Sequence, residues 1–375
     1  MIPFNKPHIV GKELEYIEQA IANLHLSGDG LFSRKCQSLL EQELNVPKAL
    51  LTTSCTDALE MAALLLEVEP GDEVIVPAFT FPSTINAFVL RGARPVFIDI
   101  RADTLNLDET RLEPLITPRT KAIVAVHYAG VGCEMQAILK VAATHGIPVV
   151  EDNAHGLFGK YEQQPLGTFG CLATLSFHET KNVICGEGGA LLINDPEYIE
   201  RAEIIREKGT DRNRFFRGQV DKYTWIDVGS SFLLSDILAA FLYAQLEARA
   251  SIQARRERIW NYYQANLLDW AASREVRLPF VPQNCEQPYH MFYLIMNSPA
   301  DRTALLAHLR ERDIGAIFHY QALDQSRMGQ RLSGQTCPVA EAISNQVVRL
   351  PFYNDLTEAE QSQVIEALQN WEPGR

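Results

Sequence analysis

Residues 175–190 read Leu175-Ser176-Phe177-His178-Glu179-Thr180-Lys181-Asn182-Val183-Ile184-Cys185-Gly186-Glu187-Gly188-Gly189-Ala190. An apolar strand ends near Phe177, a lysine follows, and a glycine-rich turn leads into a second apolar run, Ala190–Ile193. A lysine between a strand end and a returning strand is poorly explained as solvated surface. Desolvation or neighbouring cations make such an amine a useful nucleophile. Gly186-Glu187-Gly188-Gly189 is not a dinucleotide fingerprint, because it precedes a strand instead of opening a helix. No Gly-x-x-x-x-Gly-Lys-Ser/Thr phosphate loop and no Gly-x-Ser-x-Gly elbow occurs.

Upstream, short apolar runs alternate with amphipathic stretches, as in a parallel sheet with crossover helices. Strands are predicted at Ala49–Thr52, Glu73–Pro77, Pro95–Ile98, Ala122–His127, Pro148–Glu151, Thr174–Phe177 and Ala190–Ile193. Helices are predicted at Thr56–Val68, Ser83–Leu90, Glu134–Thr144 and Pro196–Lys208. One long helical pattern starts beyond Asp236 and runs past Ile259. The pattern then turns α+β, with extended Met291–Ile295, a helix at Thr303–Arg312, extended Gly315–His319 and a terminal helix at Thr357–Gln369. The reading is an α/β protein with a large, mainly parallel sheet domain over 1–250 and a small α+β domain over 251–375.

Ligands of open α/β sheets bind at the carboxyl ends of the strands. Beside the lysine segment, three such ends carry polar residues. Thr52-Thr53-Ser54-Cys55-Thr56-Asp57 runs from a strand into a helix start. Its free amides and hydroxyls suit a phosphate, and they equally suit a plain N-cap. Pro77-Ala78-Phe79-Thr80-Phe81-Pro82-Ser83-Thr84 places two aromatics in a loop, to cover a flat ligand or simply to pack the core. Val149-Val150-Glu151-Asp152-Asn153-Ala154-His155-Gly156 delivers Asp152 at a strand end. A buried carboxylate there needs a cationic partner such as a protonated ring nitrogen, or it caps a helix beside an incidental histidine. Lysine, ring-directed Asp and hydroxyl cup together meet the requirements of pyridoxal phosphate (PLP).

The chain of 375 residues has 34 Lys+Arg against 47 Asp+Glu, a net charge of −13. That balance argues against nucleic acid or an anionic membrane as a partner. The longest charge-free run, Val74–Leu90, is broken by prolines and polar residues and cannot span a bilayer. The N-terminal residues lack signal-peptide character. Seven scattered cysteines with no Cys-x-x-Cys pair speak for a reducing cytoplasm. His127, Cys133, Glu134, His290 and His319 have no matching ligand pair, so no metal is expected.

These segments resemble the DegT/DnrJ/EryC1/StrS sugar aminotransferases, of PLP-dependent fold type I (aspartate-aminotransferase-like). The likeness rests on Ser27-Gly28-Asp29-Gly30, Ser54–Leu59, Glu151–His155, Ser176–Lys181 and Gly186–Gly189, and extends to His319-Tyr320 and Leu350-Pro351-Phe352-Tyr353. It implies that Lys181 carries the cofactor as a Schiff base and that Asp152 pairs with the pyridine nitrogen. Phe81 would stack on the ring, His155 would lie near the ring oxygen, and Ser176 with the amides of Cys55 and Thr56 would hold the phosphate. The aminated form, pyridoxamine phosphate (PMP), would carry nitrogen from L-glutamate to a nucleotide-linked oxo-sugar. Arg206–Thr210 and Phe215–Trp225 further resemble members that aminate C4 of TDP-4-oxo-6-deoxyglucose. A sister group dehydrates sugars instead, with histidine at the position of Lys181.

The family's active sites lie between subunits, which implies a homodimer. An Asn that commonly reaches the partner's phosphate is replaced here by Ser231. Lys208–Lys222 holds five basic residues against two acidic ones. Arg212, Arg217, Lys222 and Tyr223, with His319 and Tyr320, are therefore the candidate substrate contacts. A non-catalytic ligand-binding protein on the same fold is the alternative of a different class.

Overall fold

The computed structural model describes residues 1–372. The strands begin with β1 (Lys48–Thr52), β2 (Glu73–Pro77), β3 (Arg94–Ile98), β4 (Thr120–Val126) and β5 (Val149–Asp152). Two short strands, β6 (Lys160–Tyr161) and β7 (Gln164–Pro165), precede β8 (Leu172–Ser176) and β9 (Gly189–Ile193). Later come β10 (Cys285–Glu286), β11 (Tyr293–Ile295) and β12 (Val347–Arg349). Seven strands form the main sheet in the order β1-β9-β8-β5-β4-β2-β3. Within it β9 runs antiparallel to both neighbours, while the other pairings are parallel.

Both faces of this sheet are covered, so its strands are apolar almost throughout. Val74, Ile75, Val76, Ile123, Val124 and Val150 are fully shielded from water. Each such side chain stabilises the fold by roughly 1.5–3 kcal/mol relative to an exposed one. The parallel strands carry their carboxyl ends to one rim. The antiparallel β9 begins at that rim, where Gly189 lies opposite both Thr52 and Ser176. A Cβ on Gly189 would stand 2.4 Å from the Cys55 amide nitrogen, so only glycine lets the helix Cys55–Leu65 start this close to the sheet.

A second core surrounds the helix Arg249–Ser273, whose Ile259, Tyr263 and Leu267 meet Phe292, Leu294, Val348 and Val364. Ile2 from the chain's start joins this core and pairs with Ile314. The terminal helix Glu358–Gln369 opens with a capping box formed by Thr357 and Glu360.

The structure departs from the sequence reading in four places. The helical run beyond Asp236 is two helices, Asp236–Glu247 and Arg249–Ser273, meeting at Ala248. The segment read as extended at Gly315–His319 makes a single bridge, Ile317 to Arg349. Helices Glu13–Ala22 and Leu31–Leu44, absent from that reading, pack on Asp236–Glu247. Residues 322–347 lie between the two cores. The helix Pro338–Gln346 packs on Pro299–Arg310 of the second unit, while Ala322, Leu323, Ala340 and Ile343 pack into the large core. Asp99 holds them there, accepting the amides of Val339 and Ala340 at 3.1 and 2.9 Å.

Candidate active site

At the carboxyl rim of the main sheet lies a cavity of about 630 Å³. The ends of β1, β2, β5 and β8 contribute Cys55, Thr56, Phe81, Thr84, Asp152, His155, Ser176 and Lys181. The C-terminal part of the chain closes it with His290, His319, Tyr320 and Arg349, and Phe4 reaches in from the N-terminal segment.

Ser54 is the N-cap of the helix Cys55–Leu65, accepting the Asp57 amide at 3.0 Å. The amides of Cys55 and Thr56 belong to the first turn, which has no intrahelical acceptors. They face the cavity beside Ser176, and the helix dipole adds positive potential there. Thr56 also donates to Ser83 Oγ at 3.0 Å. Burial pushes the Cys55 thiol up to about 12, so sulfur contributes no thiolate to the cup.

Asp152 ends β5 and is 6% exposed. Its carboxylate accepts the Thr84 hydroxyl at 2.7 Å and the Ala154 amide at 3.2 Å. Its neighbour Glu151 points to the other face of the sheet. There it accepts the amides of Gly167, Phe169 and Gly170 and faces His127 Nε2 at 2.9 Å. Successive residues of one strand thus serve opposite purposes, as strand alternation requires.

Lys181 is half-buried in the turn after β8, its amide donating to His178 O at 2.9 Å. Burial draws its amine down to about 8, and the cation of Arg349 adds to the effect. The negative charge of Asp152 opposes it. The amine is therefore far easier to deprotonate than a surface lysine.

Three buried histidines line the wall opposite. His155 stacks on His290 with ring centres 4.3 Å apart, and His319 lies 5.9 Å from His155. Burial lowers all three well below the usual histidine value, so they are neutral at pH 7. Tyr320 OH contacts His155 Nε2 at 3.4 Å, Tyr128 OH contacts His319 Nδ1 at 3.0 Å, and His290 Nδ1 contacts Asn182 Oδ1 at 2.9 Å. His155 Nδ1 is buried without a partner. The Phe81 ring, 55% exposed, lies at the mouth 5.9 Å from the Tyr320 ring.

This donor set fits a flat phosphorylated ring. The cup takes an anion, Asp152 a ring cation, Phe81 offers an aromatic face, and the orphaned His155 Nδ1 awaits a polar atom. Among the described residues no cluster of three His, Cys, Asp or Glu could hold a metal ion.

Other sequence candidates lie elsewhere in the chain. Ser231 pairs with Glu207 and lines a separate cavity of about 650 Å³ with Arg212 and Arg217. Hydrogen bonds from Lys208 N to Ser230 O and from Phe232 N to Arg206 O tie this segment to the helix Ile199–Arg206. Ser231 therefore does not meet Lys181 within one chain. The basic excess of 208–222 is answered by acids outside that stretch. Arg212 pairs with Glu207 at 3.1 Å, Arg217 with Glu203 at 2.7 Å and Arg214 with Glu200 at 3.3 Å. Lys222 and Tyr223 are exposed. Conversely, sequence reasoning missed Thr84 and Arg349. The one signal for Arg349 was a lone charge in the run Val347-Val348-Arg349-Leu350.

Comparison with solved structures places the same architecture in several aminotransferases. The aminotransferase TlmJ from Streptoalloteichus hindustanus superposes with a TM-score of 0.90 at 27% identity, over 98% of both chains. A putative sugar aminotransferase of Streptococcus pneumoniae, Spr1654, in its PMP form gives 0.91 at 27% identity over 98% of both chains. Helicobacter pylori PseC, an aminotransferase involved in the biosynthesis of pseudoaminic acid, gives 0.88 at 25% identity, again over 98% of both. The sequence profile of one family matches residues 7–369, nearly the whole chain, and includes every strand and cavity residue just described except Phe4. The chain belongs to the DegT/DnrJ/EryC1/StrS aminotransferase family.

Proposed function

We propose that the protein is a PLP-dependent transaminase that moves an amino group from L-glutamate to the C4 ketone of a nucleotide-linked 4-oxo-6-deoxyhexose. The substrate that fits the sequence resemblance best is TDP-4-oxo-6-deoxy-D-glucose. Its product would be TDP-4-amino-4,6-dideoxy-D-galactose, a precursor of enterobacterial common antigen made in the cytoplasm. The observation that carries the reading is Lys181, an amine drawn down to about 8, sharing one cavity with the buried carboxylate of Asp152. A solved relative, Spr1654, exists in both PLP and PMP forms.

PLP supplies an electron-accepting ring that stabilises charge developing on the amine-bearing carbon. In this chain Asp152, braced by Thr84, would keep the ring nitrogen protonated. The helix start at Cys55 and Thr56, with Ser176, would hold the phosphate. Phe81 would cover one ring face, and His155 would give Nδ1 or Nε2 to a ring substituent. Lys181 would link to the cofactor and then, once released, move a proton between donor carbon and cofactor. Positioned acid–base groups contribute on the order of 10²–10⁴-fold in such steps.

The active form in this reading is a homodimer. Phe216, Trp225, Ile226 and Val228 are exposed apolar residues around the segment that carries Ser231, a surface suited to a second copy. Ser231, Arg212 and Arg217 would then serve the partner's cavity and the substrate's diphosphate. Lys181 in place of histidine speaks against sugar dehydration. A panel of TDP-, UDP- and GDP-linked 4-oxo-6-deoxy sugars with glutamate, followed by NMR of the product, tests the proposal. A 4-amino galacto product from the TDP sugar is expected. A gluco product overturns the narrow assignment, and no 2-oxoglutarate release with any sugar overturns transamination itself.

A further inference from the structure

We propose that Asn182 is a positioning residue that fixes the proton of His290 on Nδ1 and, through the stacked rings, holds His155 in place; the use made of this wall rests on the transaminase reading above. Asn182 follows Lys181 directly, and its side chain leaves the turn for the C-terminal part of the chain. Its Nδ2 donates to Pro288 O at 2.6 Å, and its Oδ1 lies 2.9 Å from His290 Nδ1. A carbonyl can only accept, so a flipped amide would set two oxygens against each other. Oδ1 therefore faces His290, and His290 Nδ1 supplies the hydrogen. The ring is neutral, so its Nε2 keeps a bare lone pair.

Both ends of this bridge are anchored. Pro288 has no room to shift, since a Cβ on Gly130 would already stand 2.5 Å from its ring. Tyr289 has a φ of 53°, which residues with a Cβ rarely adopt. Arg256, buried on the helix Arg249–Ser273, grips this bend by donating to Tyr289 O at 2.9 Å and to His290 O at 2.6 Å. A third bond to Asn354 Oδ1 at 3.0 Å and the Phe352 ring, 4.8 Å away, hold the guanidinium itself. The ring of His290 is thus fixed by its backbone and by its Nδ1. His155 has less support of its own. Its Nδ1 is buried without a partner. Among the described residues its Nε2 has only the Tyr320 hydroxyl, at 3.4 Å, longer than a typical hydrogen bond. Its plane is set by the His290 face, with ring centres 4.3 Å apart and an angle of 21° between the rings. One turn therefore carries the amine of Lys181 and, one residue on, the group that orders the histidine opposite it. An Asn182 that only braced the turn would leave His155 indifferent to its loss.

Two readouts test this on wild type, the N182A, H290A and H155A variants and the N182A/H155A double variant. In cofactor-free protein labelled at the histidine nitrogens, NMR shows which ring nitrogen carries the proton, and the signals lost in H290A and H155A assign the two rings. Wild-type His290 should be protonated at Nδ1 and bare at Nε2. N182A should lose that preference and move the His155 signals as well. In the PLP-loaded protein, the pH midpoint of the absorption band of the lysine-linked cofactor should move by about 0.5–1 unit in N182A, in the same direction as in H155A. In the H155A background N182A should add less than about 0.3 unit. A His290 proton on Nε2, or His155 signals unmoved by N182A, overturns the inference. So does a full N182A shift in the H155A background, which would mean that Asn182 acts on Lys181 through the backbone alone. If N182A does not fold, H290A decides, since unmoved His155 signals there also overturn it. Protein that binds no PLP would sink the transaminase reading, while NMR of the cofactor-free form still decides the role of Asn182.

Discussion

Thr84 donates its hydroxyl to Asp152 Oδ2 at 2.7 Å, and Thr80 stands 2.8 Å from Thr84 in the same buried chain. The relationship joins the first turn of the helix Ser83–Val89, which follows β2, to the end of β5, two strands separated in the sheet by β4. It fixes which way the carboxylate of Asp152 faces. Thr84→Val keeps the shape and removes the donor. A hydrogen bond to a charged group contributes about 1.5–3 kcal/mol, so PLP should bind roughly 10- to 100-fold more weakly. Fluorescence titration of the cofactor-free protein measures this, and an unchanged affinity would show that Asp152 is oriented by other means.

Lys181 sets a pH dependence whose sign follows from its direction of shift. Its folded value, about 8, lies below the ordinary 10.5, so between the two the unfolded chain binds more protons. Stability of the cofactor-free protein therefore rises with pH through that window, and the penalty is fully present below pH 8. From pH 8 to 9.5 wild type should gain about 1.6 kcal/mol on K181A, slightly less than the full 1.36 kcal/mol per pH unit because the folded amine is still half protonated at pH 8. Denaturant unfolding of both proteins at the two pH values gives the number. K181A should also lack the visible absorption band of the lysine-linked cofactor, whatever its stability.

Gly189→Ala tests the closeness of helix and sheet. The added methyl would meet the backbone of Ser54 and Cys55 at 2.4 Å, where nothing flexible can yield. Overpacking of this kind costs about 1–3 kcal/mol. The melting temperature should fall, and inorganic phosphate should protect the variant less than it protects wild type. Equal protection would mean that the cup is not formed by this helix start.

Neutralising the loop cations asks whether the second cavity serves the substrate. R212Q with R217Q removes two charges that one chain already pairs with Glu207 and Glu203. If the loop meets the diphosphate of a substrate in a dimer, KM for the nucleotide-sugar should rise about tenfold while that for glutamate holds. Sedimentation of the same variant separates a lost contact from a lost dimer.

The strand ends were legible because parallel strands covered on both faces leave continuous apolar runs, and polar residues at their ends stand out. Glu73–Pro77 matches residue for residue, and the segments holding Asp152 and Lys181 arrive where the pattern put them. What stayed hidden was pairing between distant segments. Arg349 enters the cavity from beyond residue 340, and nothing near it in sequence speaks of Lys181. The basic loop looked unbalanced because Glu200, Glu203 and Glu207, which pair with it, precede the counted stretch. The helix Glu13–Ala22 escaped because it buries only Glu13 and Ala20, and Leu31–Leu44 because polar Ser33 and Gln37 are among its six buried positions.

The return of residues 322–347 to the large core sets an order of events during synthesis. The main sheet is complete once β9 has emerged, yet Leu323, Ala340 and Ile343 still have to cover part of it. At about 5–20 residues per second, a ribosome needs roughly 8–30 s to deliver the stretch from residue 194 to 347. For that interval Phe97 and its neighbours wait on an unfinished surface. A nascent chain stalled before residue 340 should therefore engage chaperones, and the full-length chain released from the ribosome should not.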